Sequence, residues 1–66
     1  MKFEVNKTVN FRCGGAAKIS KIKYETNTRG DVDYILCFNN GSVEHKYSHD
    51  GLVYHCSAIF DIVEVK

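Results

Sequence analysis

Asn39-Asn40-Gly41-Ser42 separates two runs of alternating residues, and it constrains the fold more than any other stretch of the chain. Asn and Gly tolerate the positive φ required at both central positions of a type I′ turn, the turn that best matches the twist of two antiparallel strands. Before the turn, Val32, Tyr34, Leu36 and Phe38 share one strand face while Asp33, Ile35 and Cys37 share the other. After it, Val43, His45 and Tyr47 alternate with Glu44 and Lys46. This period of two predicts a hairpin of strands at Val32 to Phe38 and Ser42 to Tyr47, with the even-numbered face of the first strand toward the core.

Strand formers recur elsewhere in short runs bounded by Gly, Asn or Asp. They predict strands at Thr8 to Arg12, at Ala17 to Tyr24 and at a segment ending near Val65, about five in all, with a short extra pairing at Leu52 to His55. Asp50-Gly51 is a second hairpin signal. Apolar parity changes between Ile19 and Ile22, with Ser20-Lys21 between them, which predicts a bulge or the sharp bend of a small barrel. The polar segment Glu25 to Asp31, ETNTRGD, reads as the longest mobile loop. No long stretch carries a 3.6-residue period, and Ser57 to Asp61 suits at most one helical turn. An all-β class is expected, as one folded unit over residues 1–66, because no proline, repeat or low-complexity tract marks a linker.

At 66 residues a single core is marginal, and self-association is the expected supplement, giving a homo-oligomer. Nine Lys and Arg against eight Asp and Glu give a formal charge of +1, without the basic excess that drives strong phosphate binding. Cys13, Cys37 and Cys56 are an odd set without CxxC spacing, and no apolar stretch of a signal peptide follows Met1, so reduced thiols in a cytosol are expected. The longest apolar run, Tyr34 to Phe38, is five residues and cannot span a membrane.

His45, His49, His55 and Cys56 offer zinc-type ligands, but a strand and a turn do not align His45 with His49, and the adjacent His55 and Cys56 point to opposite faces. A Cys–His nucleophile lacks the helix N-terminus that lowers a thiol pKa, and the Asp pairs 31/33 and 50/61 lack an enclosing pocket in so small a domain. Cys13-Gly14-Gly15-Ala16-Ala17 has no P-loop spacing and reads as a tight turn. No catalytic residue, metal or cofactor is therefore expected. Four tyrosines, at 24, 34, 47 and 54, with Arg12, Arg29, Lys18, Lys21 and Lys23 supply stacking faces beside cations, the combination that takes bases and phosphates. Tyr47, Tyr54, Arg12, Arg29, Lys18 and His55 are the candidate ligand-binding residues.

NKTVNFRCGGAAKI and, after a hairpin, HKYSHDGLVYHCSAIFDIVEV together resemble a class of small proteins of tailed phages and prophages built on a compact SH3-like β-barrel. The pattern VGxxVxTRxGxxAxI is met by Val9, Arg12, Gly14 or Gly15, Ala17 and Ile19. YTxDGxY and the final DLV are met by Tyr47, Ser48, Asp50, Gly51, Tyr54 and Asp61-Ile62-Val63. Asn6 replaces a usual glycine, Phe11 a usual Thr, and Leu52-Val53 the usual basic or aromatic pair. The resemblance implies a non-enzymatic phage accessory protein in the host bacterial cytosol, antagonising a host process such as anti-phage defence. Its expected partner is a nucleotide signal or a host defence protein. The alternatives are weak nucleic-acid binding of the KOW type through Lys18, Lys21, Lys23 and Arg29, or a virion component.

Overall fold

The computed structural model describes residues 2–66; Met1 lies outside them. Six antiparallel strands form one sheet among the described residues: β1 (Thr8–Phe11), β2 (Ala16–Thr26), β3 (Val32–Phe38), β4 (Val43–Tyr47), β5 (Val53–Tyr54) and β6 (Ile62–Val65), in the order β5-β4-β3-β2-β1-β6. The all-β expectation holds, and the short pairing foreseen near Leu52 is β5. No helix among the described residues is long and apolar enough to cross a membrane. Two 3₁₀ turns interrupt the strands, Asn39–Gly41 and Ala58–Phe60, the second inside the segment expected to hold a helical turn.

The Asn-Gly pair takes the left-handed conformation it predicts, within a four-residue loop: Asn39 is also at φ 50°, and β4 begins at Val43, not Ser42. Asn40 has φ 58° and ψ 31°, Gly41 has φ 89°, and Ser42 N–H donates to Asn39 O at 3.2 Å. Below this turn Phe38 pairs with Val43 and Leu36 with His45, so the even face of β3 turns inward as expected. Phe3, Val9, Ile19, Leu36, Phe38, Tyr47 and Ile62 form the core. Each such side chain taken from water contributes about 1.5–3 kcal/mol before ordering entropy is subtracted.

The parity change in β2 is a bulge. Ile19 faces Phe38 but Lys21 faces Cys37, which leaves Ser20 as the extra residue, its hydroxyl donating to Cys37 O at 3.0 Å. This bends β2 so that its first residues pair with β1 and the rest with β3 only.

Two expectations are corrected. Glu25 to Asp31 is no long loop: Glu25 and Thr26 pair with Asp33 and Val32, and only Asn27 to Asp31 form the connection. The curled sheet also stops short of a closed barrel, since among the described residues no ladder joins β5 to β6. Two bonds bridge them instead: Ile62 N–H donates to Gly51 O at 2.8 Å, and Val53 N–H donates to Asp61 Oδ1 at 2.9 Å. Asp61 is almost fully buried, and Arg12 Nη2 approaches its second oxygen at 3.4 Å.

Candidate functional site

The β2–β3 and β4–β5 loops of this hairpin array are built alike. In the β2–β3 connection, Asn27 N–H donates to Asp31 O at 2.9 Å and Gly30 N–H to Asn27 O at 3.1 Å, with Gly30 at φ 85°. In the β4–β5 connection, Ser48 N–H donates to Leu52 O at 2.9 Å and Gly51 N–H to Ser48 O at 3.0 Å, with Gly51 also at φ 85°. Each is a type I turn closed by a left-handed glycine, the three-residue hairpin loop with a bulge. Each is also capped by its first side chain. Asn27 Oδ1 accepts from Arg29 N–H at 2.9 Å and Asp31 N–H at 3.1 Å, and Ser48 Oγ accepts from Asp50 N–H and Leu52 N–H, both at 3.3 Å.

Between the loops lies a groove of about 320 Å³, lined by Arg29, Asp31, Asp33, Ser48, His49, Asp50, Leu52 and Tyr54. Its floor is Asp33, only 4% exposed although it sits on the face of β3 opposite the core. A buried carboxylate needs partners. Tyr54 Oη donates to Asp33 Oδ1 at 3.1 Å, Asn27 Nδ2 lies 3.4 Å from both oxygens, and Lys46 Nζ stands 4.0 Å from Oδ2. Lys46 also approaches Glu25 at 3.4 Å and sits 5.7 Å from the Tyr54 ring centroid. The chain Asn27–Asp33–Tyr54 thus ties the β2–β3 loop to β5 across the groove floor.

The groove rim is solvated and mixed in character. Arg29 Nε is 3.9 Å from Asp31, His49 Nε2 is 3.3 Å from Asp50, and Leu52 is half exposed. The groove lining thus carries one guanidinium and three carboxylates. Comparison with family models, curated proteins and solved structures finds no match for the chain.

Of the candidate ligand residues, only Arg29 and Tyr54 meet in this groove. His55 is exposed at φ 58° and turns into a neighbouring depression of about 440 Å³ with Lys46, Glu44 and Cys56. Arg12 is committed to Asp61, and Lys18 lines a separate depression with Asn6, Asn39 and Asn40. Tyr47 is corrected outright: it is fully buried, its hydroxyl donates to Phe60 O at 3.0 Å, and no ligand can reach its ring. Burial pushes its pKa well up, with Cys56 and Asp61 adding to the effect. Burial likewise raises the Cys37 thiol, helped by its hydrogen bond to Glu44 at 3.5 Å.

The histidines are separated. His45 stacks on Phe60, with ring centroids 5.5 Å apart and 20° between planes, while His49 sits at a loop tip. Among the described residues no three His, Cys, Asp or Glu side chains gather as a metal site. Of the four basic residues in the KOW-type expectation, Lys23 lies 3.4 Å from Glu44 and Arg29 3.9 Å from Asp31. Sequence reasoning does not single out Asn27, takes Ser48 only as part of a turn motif, and weighs Asp33 and His49 for acid–base and metal chemistry only to set them aside. A signal for the caps was present, since Asn27-Thr-Arg-Gly30 and Ser48-His-Asp-Gly51 share the spacing of a capping side chain three residues before a turn glycine.

Proposed function

We propose that this protein is a non-enzymatic, phage-encoded binding module of the host bacterial cytosol. It antagonises a host process, with anti-phage defence the target, by capturing a host protein in the groove between the β2–β3 and β4–β5 loops. The supporting observation is the groove's construction. Two capped turns, the first tied to β5 through Asn27, Asp33 and Tyr54, present Arg29, His49, Asp50 and Leu52 around the groove, and hydrogen-bonded loops favour binding by reducing the ordering cost. The viral setting rests on the sequence resemblance.

The charge distribution favours a protein over a nucleotide. Asp31, Asp33 and Asp50 line the groove with the single guanidinium of Arg29, and even with Lys46 set against the buried Asp33 the solvated Asp31 and Asp50 outnumber Arg29, so a phosphate entering the groove meets more repulsion than attraction. A protein surface carrying a Lys or Arg beside an apolar residue complements the same groove, the cation toward Asp31 and Asp50 and the apolar group on Leu52.

Tagged protein incubated with bacterial lysate should retain a host protein that the exposed-rim variants Leu52→Asp and Arg29→Glu lose by tenfold or more. Lys18→Ala, in its separate depression, should retain it. Equal capture by all variants would move the site elsewhere. A nucleotide mass co-purifying with the wild type in native mass spectrometry would replace this reading with nucleotide capture.

A further inference from the structure

β2 is the longest strand, yet half of it has a neighbour on one side only. Ala16 to Lys18 pair with β1, and Ile19 exchanges bonds with Asn6 and Lys7, its carbonyl accepting from Asn6 N–H at 2.8 Å and its N–H donating to Lys7 O at 2.9 Å. From Lys21 to Thr26 the ladder to β3 continues, but among the described residues no backbone group bonds the opposite edge. Asn27 N–H points to Asp31 across the hairpin, so by alternation Glu25, Lys23 and Lys21 bond toward β3 while the amides and carbonyls of Ile22, Tyr24 and Thr26 face outward. The other sheet margins are treated differently. β5 is two residues long and its Val53 N–H is taken by Asp61, and β6 carries an irregularity at Val63, which has no partner on β1 among the described residues.

We propose that the outer edge of β2 is a self-association interface, pairing antiparallel with the same edge of a second copy about a two-fold axis at Tyr24. Tyr24 is 67% exposed, the most exposed of the large apolar side chains described. In this register the outward N–H and C=O of each Tyr24 bond the second copy's Tyr24, and Ile22 faces Thr26. On the other face Lys23 lies opposite the second copy's Glu25, and Glu25 opposite its Lys23. Sliding the pairing by two residues keeps two unlike pairs, Glu25 with Lys21, but adds Lys23 against Lys23 at the axis, so charge favours the Tyr24-centred register. Lysines on an edge ordinarily repel a second strand; Glu25, two residues from Lys23 and on the same face, makes this edge self-complementary. The intrachain ion pairs Lys23–Glu44 and Lys46–Glu25 are half exposed and extend into the same network across the axis.

The test is charge reversal followed by mixing. Native mass spectrometry and sedimentation of the full chain should show a dimer for the wild type. Lys23→Glu alone and Glu25→Lys alone should each be monomeric, with dimer population reduced at least tenfold. An equimolar mixture of the two variants should restore a heterodimer, because one chain is then acidic at both positions and the other basic at both, so every opposed pair across the axis is of unlike charge. A monomeric wild type, variants that stay dimeric, or a mixture that stays monomeric would each overturn the proposal. If either reversal loses its β-sheet circular dichroism, Tyr24→Cys in a Cys13→Ser, Cys56→Ser background serves in its place. Opposed Cα atoms at the axis fall within disulfide reach, so mild oxidation should give a covalent dimer, and an unlinked chain would refute the register.

Discussion

Asn27 bonds in two directions at once. Its carbonyl oxygen caps the β2–β3 turn through Arg29 and Asp31 N–H, and its amide nitrogen reaches both oxygens of Asp33. Asn27→Ala removes all of these and leaves a buried carboxylate short of a donor, so we expect a loss of about 2 kcal/mol in urea unfolding. Asn27→Asp keeps the cap but sets a second carboxylate against Asp33, and should recover less than half of that loss. Tyr47 shows how a single residue defeats sequence reasoning. A tyrosine in an alternating strand reads equally as a stacking surface or as core, and only the position of the Phe60 carbonyl, where its hydroxyl finds an acceptor in the interior, decides for the core.

At the scale of elements, the strands were legible because apolar alternation and Asn-Gly or Asp-Gly turns coincide. β3, its turn and β4 fall where residues 32 to 47 place them. The end of β2 was not legible, because Glu25 and Thr26 are polar residues whose strand conformation comes from the ladder to β3, and for Glu25 from ion pairing with Lys46, not from burial. The groove was half legible: Arg29 and Tyr54 were singled out for their chemistry, while Asp33 was set aside for want of an enclosing pocket, and its burial comes from Asn27, Tyr54 and Lys46, which the sequence pattern does not place beside it. The junction of β5 with β6 depends on Asp61, whose oxygens serve Val53 N–H and Arg12. Asp61→Ala should therefore cost about 2–3 kcal/mol, largely from the orphaned Val53 amide and the emptied site. Amide hydrogen exchange should show its greatest acceleration at Val53 and Ile62. A uniform effect over all strands would contradict the local role.

For the whole molecule the buried acids set an alkaline limit. Folding raises the pKa of Cys37 above its ordinary 9.0 and that of Tyr47 above its ordinary 10.0. Above those values the unfolded chain releases protons that the folded chain still holds, so stability falls as pH rises, and below pH 9 neither group contributes a slope. Unfolding free energy measured under reducing conditions should be independent of these groups at neutral pH and decline past about pH 9, at up to about 1.4 kcal/mol per pH unit for each group. Tyr47→Phe should flatten the limb above pH 10 while losing about 1 kcal/mol at pH 7, the net worth of its bond to Phe60. A limb unchanged by that substitution would assign the decline to other groups.

The bond from Ile62 to Gly51 ties the groove to time as well as to space. Gly51 closes the loop that forms one groove wall, and β6, which holds it, docks on β1 across a long stretch of chain, as the 54-residue span of the Asn10–Glu64 contact shows. Long-range pairings form only after a large loop-closure entropy is met, and short end strands are where a sheet frays. Fraying of β6 would break the Ile62–Gly51 bond, so amide exchange at Ile62 should report directly on the loop that walls the groove.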